Sequence, residues 1–68
     1  MLENKKSMVL IRFKGLPSGA KGWLRKIEER LPIELPNRFT YSEAKQSAKL
    51  ALLDAGFKRV EVLSVAFN

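Results

Sequence analysis

The chain has 68 residues without cysteine or histidine, and 13 lysines and arginines against seven acidic residues give it a formal charge of +6. A chain of this length forms one domain, and its composition excludes disulfides, thiolate or imidazole zinc sites, and catalysis by Ser–His or Cys–His pairs. The positive charge favours polyanionic partners, either nucleic acid or an acidic protein surface.

Residues 1–7 are polar and predict a flexible basic tail, in which Lys5 and Lys6 either contact phosphates without specificity or are simply solvated. Residues 8–68 are predicted to form the single domain. The tail lacks the apolar stretch of a secretory signal, and no apolar run approaches the roughly 20 residues of a membrane span. Together with the absence of cysteine, this predicts a cytoplasmic protein without a membrane partner.

The first predicted strand covers residues 8–14. The apolar residues that alternate to one of its faces are Val9, Ile11 and Phe13. Arg12 and Lys14 alternate to the other face, so one buried face and one basic, solvated face are expected. A basic open sheet is a familiar platform for single-stranded RNA or DNA. Alternatively, these charges only protect the strand from aggregation.

A loop at residues 15–19 precedes a predicted helix from about Ala20 to Leu31. Ala20, Leu24, Ile27 and Leu31 form an apolar stripe at helical spacing. Ser18 is a favourable N-cap for this helix, and Pro32 ends it. Backbone N–H groups at the helix start, together with nearby basic side chains, predict an anion site; the alternative is an ordinary strand-to-helix loop. The basic residues at this site are Lys14, Lys21, Arg25 and Lys26.

Gly19-Ala20-Lys21-Gly22 resembles the G-x-x-G loop of KH domains, which clamps a nucleic-acid backbone but joins two helices in that family. Trp23 is the only tryptophan of the chain. It is expected to stack on a base, to anchor a protein partner, or to belong to the core.

In the second half of the chain, residues 33–35 predict a short edge strand, which Pro36 ends. A helix and a further strand are predicted to follow. Ser42 is the predicted N-cap of a helix that runs to about Ala55, and its small apolar residues are expected to pack against a sheet. Gly56 is expected to adopt a positive φ, and Phe57 to anchor the chain.

The last predicted strand runs from Lys58 to Phe67. Its apolar phase changes between Val62 and Leu63, which predicts either a β-bulge or burial of this end on both faces. Together these elements predict an α+β fold with two helices packed on one face of a small two- or three-stranded sheet, in the order β-α-(β)-α-β. The first and last strands are expected to be neighbours.

The stretch Ile11–Pro17 resembles the first strand and turn of RNA-recognition motifs. It is most similar to the quasi-RRM group, in which a basic residue replaces the stacking aromatic residue. Residues 42–52 and 60–62 are similar to the second helix and last strand of that fold. The resemblance covers about half of the chain, and it implies RNA contact through Arg12, Lys14 and the loops.

The predicted function is a non-catalytic nucleic-acid-binding module without cofactor or metal, monomeric or homodimeric, with single-stranded RNA or DNA favoured as ligand. The alternative is a phage- or plasmid-type accessory protein that binds and modulates an acidic host protein surface, since the Ala55-Gly56-Phe57 ending also resembles compact phage-encoded inhibitors. The residues predicted to contact phosphate are Arg12, Lys14, Lys21, Arg25, Lys26, Lys58 and Arg59. The residues predicted to stack or to anchor a partner are Trp23 and Tyr41.

Overall fold

Three antiparallel strands and one helix make up the fold. A computed structural model describes residues 4–67. Its elements in chain order are β1 (Asn4–Pro17), β2 (Arg25–Pro36), α1 (Tyr41–Asp54) and β3 (Phe57–Phe67). The strands form one sheet in the order β2-β1-β3, in which β1 pairs antiparallel with both neighbours. The helix covers one face of this sheet and leaves the other face open.

The predicted helix at residues 20–31 is wrong, and with it the two-helix order β-α-(β)-α-β. Residues 25–36 form β2 instead. Apolar side chains at odd positions face the core, at Ile27, Leu31, Ile33 and Leu35. Charged side chains at even positions are exposed, at Lys26, Glu28, Arg30 and Glu34. This period of two holds from Ile27 to Leu35 with one exception, Glu29, and it outweighs a helical stripe that rested on four residues.

Pro32 lies inside β2 and does not end an element. Since β2 is an edge strand, one side of its backbone has no neighbouring strand, and a proline is tolerated there. The edge position predicted for residues 33–35 is therefore confirmed. The prediction that Pro32 ends a helix is wrong, because a proline is equally compatible with an edge strand.

The first strand is confirmed and is longer than predicted. Val9, Ile11 and Phe13 are completely buried, while Arg12 on the opposite face is exposed. β1 begins at Asn4, within the segment predicted as a tail, and residues 1–3 lie outside the described residues. The neighbouring positions of β1 and β3 are also confirmed, with the strands antiparallel.

The core forms between β1 and α1. The buried residues of the helix are Ala44, Ala48 and Leu52. Because two of these three side chains are single methyl groups, the helix axis can lie close to the sheet, which confirms the packing role predicted for its small residues. Ile33 and Leu35 of β2 are buried in the same cluster. They pair with β1 beyond the last β1–β3 pair, Val9–Phe67, so the two-stranded extension of the sheet also packs into this core.

An aromatic contact closes the core at the other end of β3. The rings of Phe13 and Phe57 meet edge to face with their centroids 5.0 Å apart, so the predicted anchoring role of Phe57 is confirmed. A Cβ atom at Gly15 would lie 2.6 Å from the Phe13 ring. Glycine is therefore required at this position of β1, where the ring lies over the backbone.

The phase change of β3 is a β-bulge, as predicted. Arg12 pairs with Ser64 and Phe13 with Val62, which leaves Leu63 as the extra residue. The insertion lets Val62 and Val65 face the helix side together, although they are three positions apart and not two or four. Leu63 is 41% exposed on the open face of the sheet, so burial of this strand on both faces is not needed to explain the pattern.

The N-cap of the helix lies two residues earlier than predicted. Thr40, not Ser42, is the N-cap, and it forms a capping box with Glu43: the Glu43 N–H donates to the Thr40 hydroxyl, and the Thr40 N–H donates to the Glu43 carboxylate, both at 3.1 Å. At the other end Gly56 has a φ of 108°, which confirms its predicted left-handed conformation.

Thr40→Ala should lower the free energy of unfolding by about 1 kcal/mol, because the hydroxyl that accepts from the Glu43 N–H is lost, although the backbone N–H of residue 40 can still donate to the Glu43 carboxylate. Ser42→Ala, the matched control at the position predicted from sequence, should change it by less than about 0.5 kcal/mol. Urea denaturation followed by circular dichroism measures both variants. Equal losses in the two would contradict the assignment of the cap to Thr40.

Candidate nucleic-acid interface

The loop at residues 18–24 joins β1 to β2 and is almost entirely exposed. Gly19 and Gly22 have φ values of 87° and 115°, a conformation that side chains with a Cβ rarely adopt. The base of the loop is fixed by the Ser18 N–H, which donates to the Gly56 carbonyl at 2.7 Å. The predicted role of Ser18 as a helix cap is wrong because no helix follows it. The G-x-x-G sequence lies in a β-hairpin loop, not between two helices.

Most of the predicted phosphate-contacting residues lie around this loop. Lys14 is opposite Lys26 in the β1–β2 register, and Arg25 is opposite Gly15. Arg59 is opposite Leu16 in the β1–β3 register, with Lys58 beside it. We call this region the basic hairpin end; its residues are Lys14, Lys21, Trp23, Arg25, Lys26, Lys58 and Arg59. The predicted anion site at a helix start is wrong, but its basic side chains lie together because the hairpin brings them there.

The charge of the basic hairpin end is poorly balanced within the chain. Residues 14–27 contain four basic residues and no acidic one. Lys14 and Lys26 are direct cross-strand neighbours, and like charges in that position destabilise a sheet. Glu61, opposite Lys14 on the other side, offsets part of this repulsion. An anionic ligand at this end would relieve the rest.

Arg12 lies on the open sheet face, two residues from Lys14. Its Nε atom donates to the Glu28 carboxylate at 3.0 Å, and both side chains are about 60% exposed. Ion pairs this exposed contribute at most about 1 kcal/mol. Arg12 can therefore exchange its carboxylate partner for a phosphate at little energetic cost.

Trp23 is 89% exposed and lies in the loop two residues before β2 begins. The prediction that it belongs to the core is therefore wrong, whereas stacking and anchoring stay predictions. A fully accessible indole between basic side chains suits stacking on a planar ligand, since both of its faces are open.

Tyr41 does not belong to the basic hairpin end. Its hydroxyl accepts a hydrogen bond from the Val65 N–H at 2.9 Å, and Lys45 lies with its Nζ atom 5.9 Å from the centre of the tyrosine ring. Phe67, another stacking candidate, packs against Phe39 with a centroid distance of 5.4 Å. The structure thus separates these aromatic rings from Trp23.

The open sheet face offers no stacking platform of its own. Over residues 5–67, the uncharged side chains on this face are aliphatic or small. The large hydrophobic side chains that are exposed on it are those of Met8 and Leu63. Lys5 and Lys6 pair with Leu35 and Glu34 at the far end of β1, away from the loop. Of the two predicted basic regions, the sheet face and the loop, the loop is therefore the one that combines charge with an accessible ring.

Sequence reasoning missed a second basic row, formed by Lys45 and Lys49 one turn apart on α1. Their spacing with Tyr41, at i, i+4 and i+8, could have revealed it, because such residues share one helix face. Over residues 4–67, no cluster of three or more potential metal ligands is found. In the same range, no helix is long and apolar enough to cross a membrane.

Comparisons with protein-family models, curated proteins and solved structures found no match to this chain. The resemblances to RNA-recognition motifs and to phage-encoded inhibitors therefore stay predictions.

Iodide should quench the fluorescence of Trp23 more strongly than caesium does, relative to the same two ions acting on free N-acetyltryptophanamide. The basic side chains around Trp23 concentrate anions and repel cations. Arg25→Glu should reduce this preference, and Lys5→Glu, which changes the net charge equally at a distant site, should not. Equal iodide and caesium quenching in the unmodified protein would contradict a positive potential at the hairpin.

Proposed function

We propose that the protein is a non-catalytic nucleic-acid-binding module that contacts its ligand through the basic hairpin end. The observation that carries the proposal is that six lysines and arginines lie in or beside the loop that also holds Trp23, whose side chain is 89% exposed. The charges would hold phosphates, and the indole would stack on a base.

Single-stranded RNA or DNA is the ligand that suits this end best. A base within a duplex has both faces covered by its neighbours, whereas an unpaired base offers a face to an aromatic side chain. Such stacking is worth about 1–3 kcal/mol per base and tolerates any base identity. One exposed ring with several flanking charges thus favours binding of low sequence specificity.

Arg12 would extend the contact along the open sheet face. The cross-strand pair of Arg12 and Glu28 is the next pair on the same sheet face after Lys14 and Lys26. A single-stranded nucleic acid that crosses the hairpin end would therefore reach Arg12 next. Its exposed ion pair with Glu28 would then be replaced by a pair with phosphate. Lys5 and Lys6 lie too far along β1 to take part in the same contact.

The proposal is tested by titrating a labelled single strand and its duplex with the protein at about 50 and 200 mM salt, and following fluorescence anisotropy. Binding should be saturable and should weaken roughly linearly in log–log form with salt. Lys21→Glu and Arg25→Glu should each reduce both the affinity and the salt dependence, because each removes a phosphate contact.

Lys5→Glu is the matched control, since it changes the net charge by the same amount at the far end of β1. It should weaken binding much less than either hairpin variant. Equal losses in all three would show that net charge alone drives binding, and a lack of saturable binding at the lower salt concentration would reject the proposed function.

Trp23→Ala should weaken single-strand binding by about 1–3 kcal/mol, a factor of roughly 5 to 150. It should affect duplex binding much less, because duplex contacts would depend on phosphates. The free energy of unfolding should stay within about 0.5 kcal/mol of the unmodified protein, since the side chain is exposed. Trp23→Phe should retain most of the affinity. An unchanged affinity in Trp23→Ala would exclude stacking by this residue.

A further inference from the structure

The two edges of the sheet are protected differently. Both β2 and β3 are edge strands. β2 contains Pro32 in its interior and ends at Pro36, and prolines hinder the pairing of an edge with a further strand because they lack an N–H donor. β3 contains no proline over its 11 residues. The edge of β3 is therefore the one that can accept an additional strand.

The hydrogen-bonding groups of β3 that point outward follow from one contact. The Val65 N–H donates to the Tyr41 hydroxyl, so the backbone of Val65 faces away from β1. Val65 pairs with Ile11, and the next positions of the same phase on β1 are Phe13 and Gly15, which pair with Val62 and Val60. Because this orientation alternates along an antiparallel pair, the N–H and C=O groups of Val60 and Val62 also face outward.

A groove of about 460 Å³ runs along these groups, between α1 and the edge of β3. The helix side of the groove includes Tyr41, Lys45 and Lys49, and the strand side is Val60–Val62. Val60 and Val62 are half-buried, so their side chains form an apolar floor. The accessible part of the β3 edge ends at Tyr41, because the Val65 N–H already donates to the Tyr41 hydroxyl.

The positive charge of the groove favours an acidic ligand. Lys45 and Lys49 lie one turn apart on its helix wall. Glu61 is the one acidic residue among the described residues that line it, and its pairing with Lys14 places its side chain on the opposite face of the sheet. A segment lying beside β3 would thus meet two lysines without a local counter-charge.

We propose that this groove binds an extended acidic segment of a partner protein, which adds to the sheet as a fourth strand beside β3. Main-chain hydrogen bonds to Val60 and Val62 would supply affinity, and carboxylates beneath Lys45 and Lys49 would supply specificity. The site is separate from the basic hairpin end, and it does not depend on the function proposed for that end.

A second copy of the chain fits this groove less well. Antiparallel pairing of two β3 edges about a two-fold axis would put both helices on the same side of one continuous sheet. The lysine-bearing walls would then face each other and bring together Lys45 and Lys49 of both copies, four positive charges without acidic partners. Nucleic acid also fits less well, because phosphates cannot donate to the outward carbonyl groups of Val60 and Val62, whereas a peptide main chain can pair with both their N–H and C=O groups.

The probe for the test is a capped eight-residue peptide of alternating glutamate and threonine. One control peptide has lysine in place of glutamate, and a second keeps glutamate but is N-methylated at alternate residues, which blocks its main-chain donors on one edge. Two-dimensional ¹⁵N NMR follows the backbone amides of the protein. The acidic peptide should shift the amide signals of Val60 and Val62 and slow their hydrogen exchange, and neither control peptide should do so.

Lys45→Glu and Lys49→Glu should each weaken binding of the acidic peptide at least fivefold. Lys5→Glu is again the control of equal charge change and should have little effect. Both helix variants should keep the dispersed NMR spectrum of the folded protein, since Lys49 is exposed and Lys45 half-buried. They should also keep their oligonucleotide affinity, whereas Arg25→Glu should keep peptide binding, so failure of one proposal can be distinguished from failure of the other.

Three results would overturn the inference. One is the absence of shifts at Val60 and Val62 up to millimolar acidic peptide. Another is equal binding of the lysine peptide, which would remove the role of Lys45 and Lys49. The third is occupation of the groove by something else, seen either as the same shifts with a single-stranded oligonucleotide or as dimers in analytical ultracentrifugation that Val60→Pro abolishes.

Discussion

The contact between α1 and the middle strand of the sheet is the interaction on which the rest of the structure depends. The small side chains of Ala44 and Ala48 let the helix approach Val9, Ile11 and Phe13, all five of which are completely buried. A single helix covers one face of three strands, so the other face and both edges stay accessible.

The length of β1 explains why binding surfaces form at particular places. It has 14 residues and pairs along most of its length with both neighbours, so the loop that joins it to β2, residues 18–24, lies beyond the paired strands. Side chains in that loop make few packing contacts and can be basic or aromatic without disturbing the fold. The cross-strand pair of Lys14 and Lys26, unfavourable for the sheet itself, shows that stability alone does not account for this end.

Two unlike surfaces thus share one small scaffold. The basic hairpin end presents positive charges and the Trp23 indole at the loop between β1 and β2, which suits a flexible polyanion. The groove beside β3 presents alternating backbone donors and acceptors below Lys45 and Lys49, which suits an extended acidic segment. The bulge at Leu63 affects the second surface, because it sets which backbone groups of β3 point outward on either side of it.

The sequence by itself determined the segments in which a local pattern has only one reading: the first strand from Val9, Ile11 and Phe13, the helix α1 with Gly56 after it, the last strand, and the basic character of the residues around Trp23. For the phase change at Val62 and Leu63, the sequence left a bulge and burial on both faces open. It did not determine residues 20–31, because Leu24, Ile27 and Leu31 satisfy a helical spacing while Ile27, Leu31 and Ile33 satisfy the alternation of a strand. Only tertiary structure decided between them: as part of one strand, residues 25–36 pair with β1 and bury Ile33 and Leu35 against α1. The same pairing decided the site, since residues 14, 26 and 59 are distant in the chain and meet only through strand register.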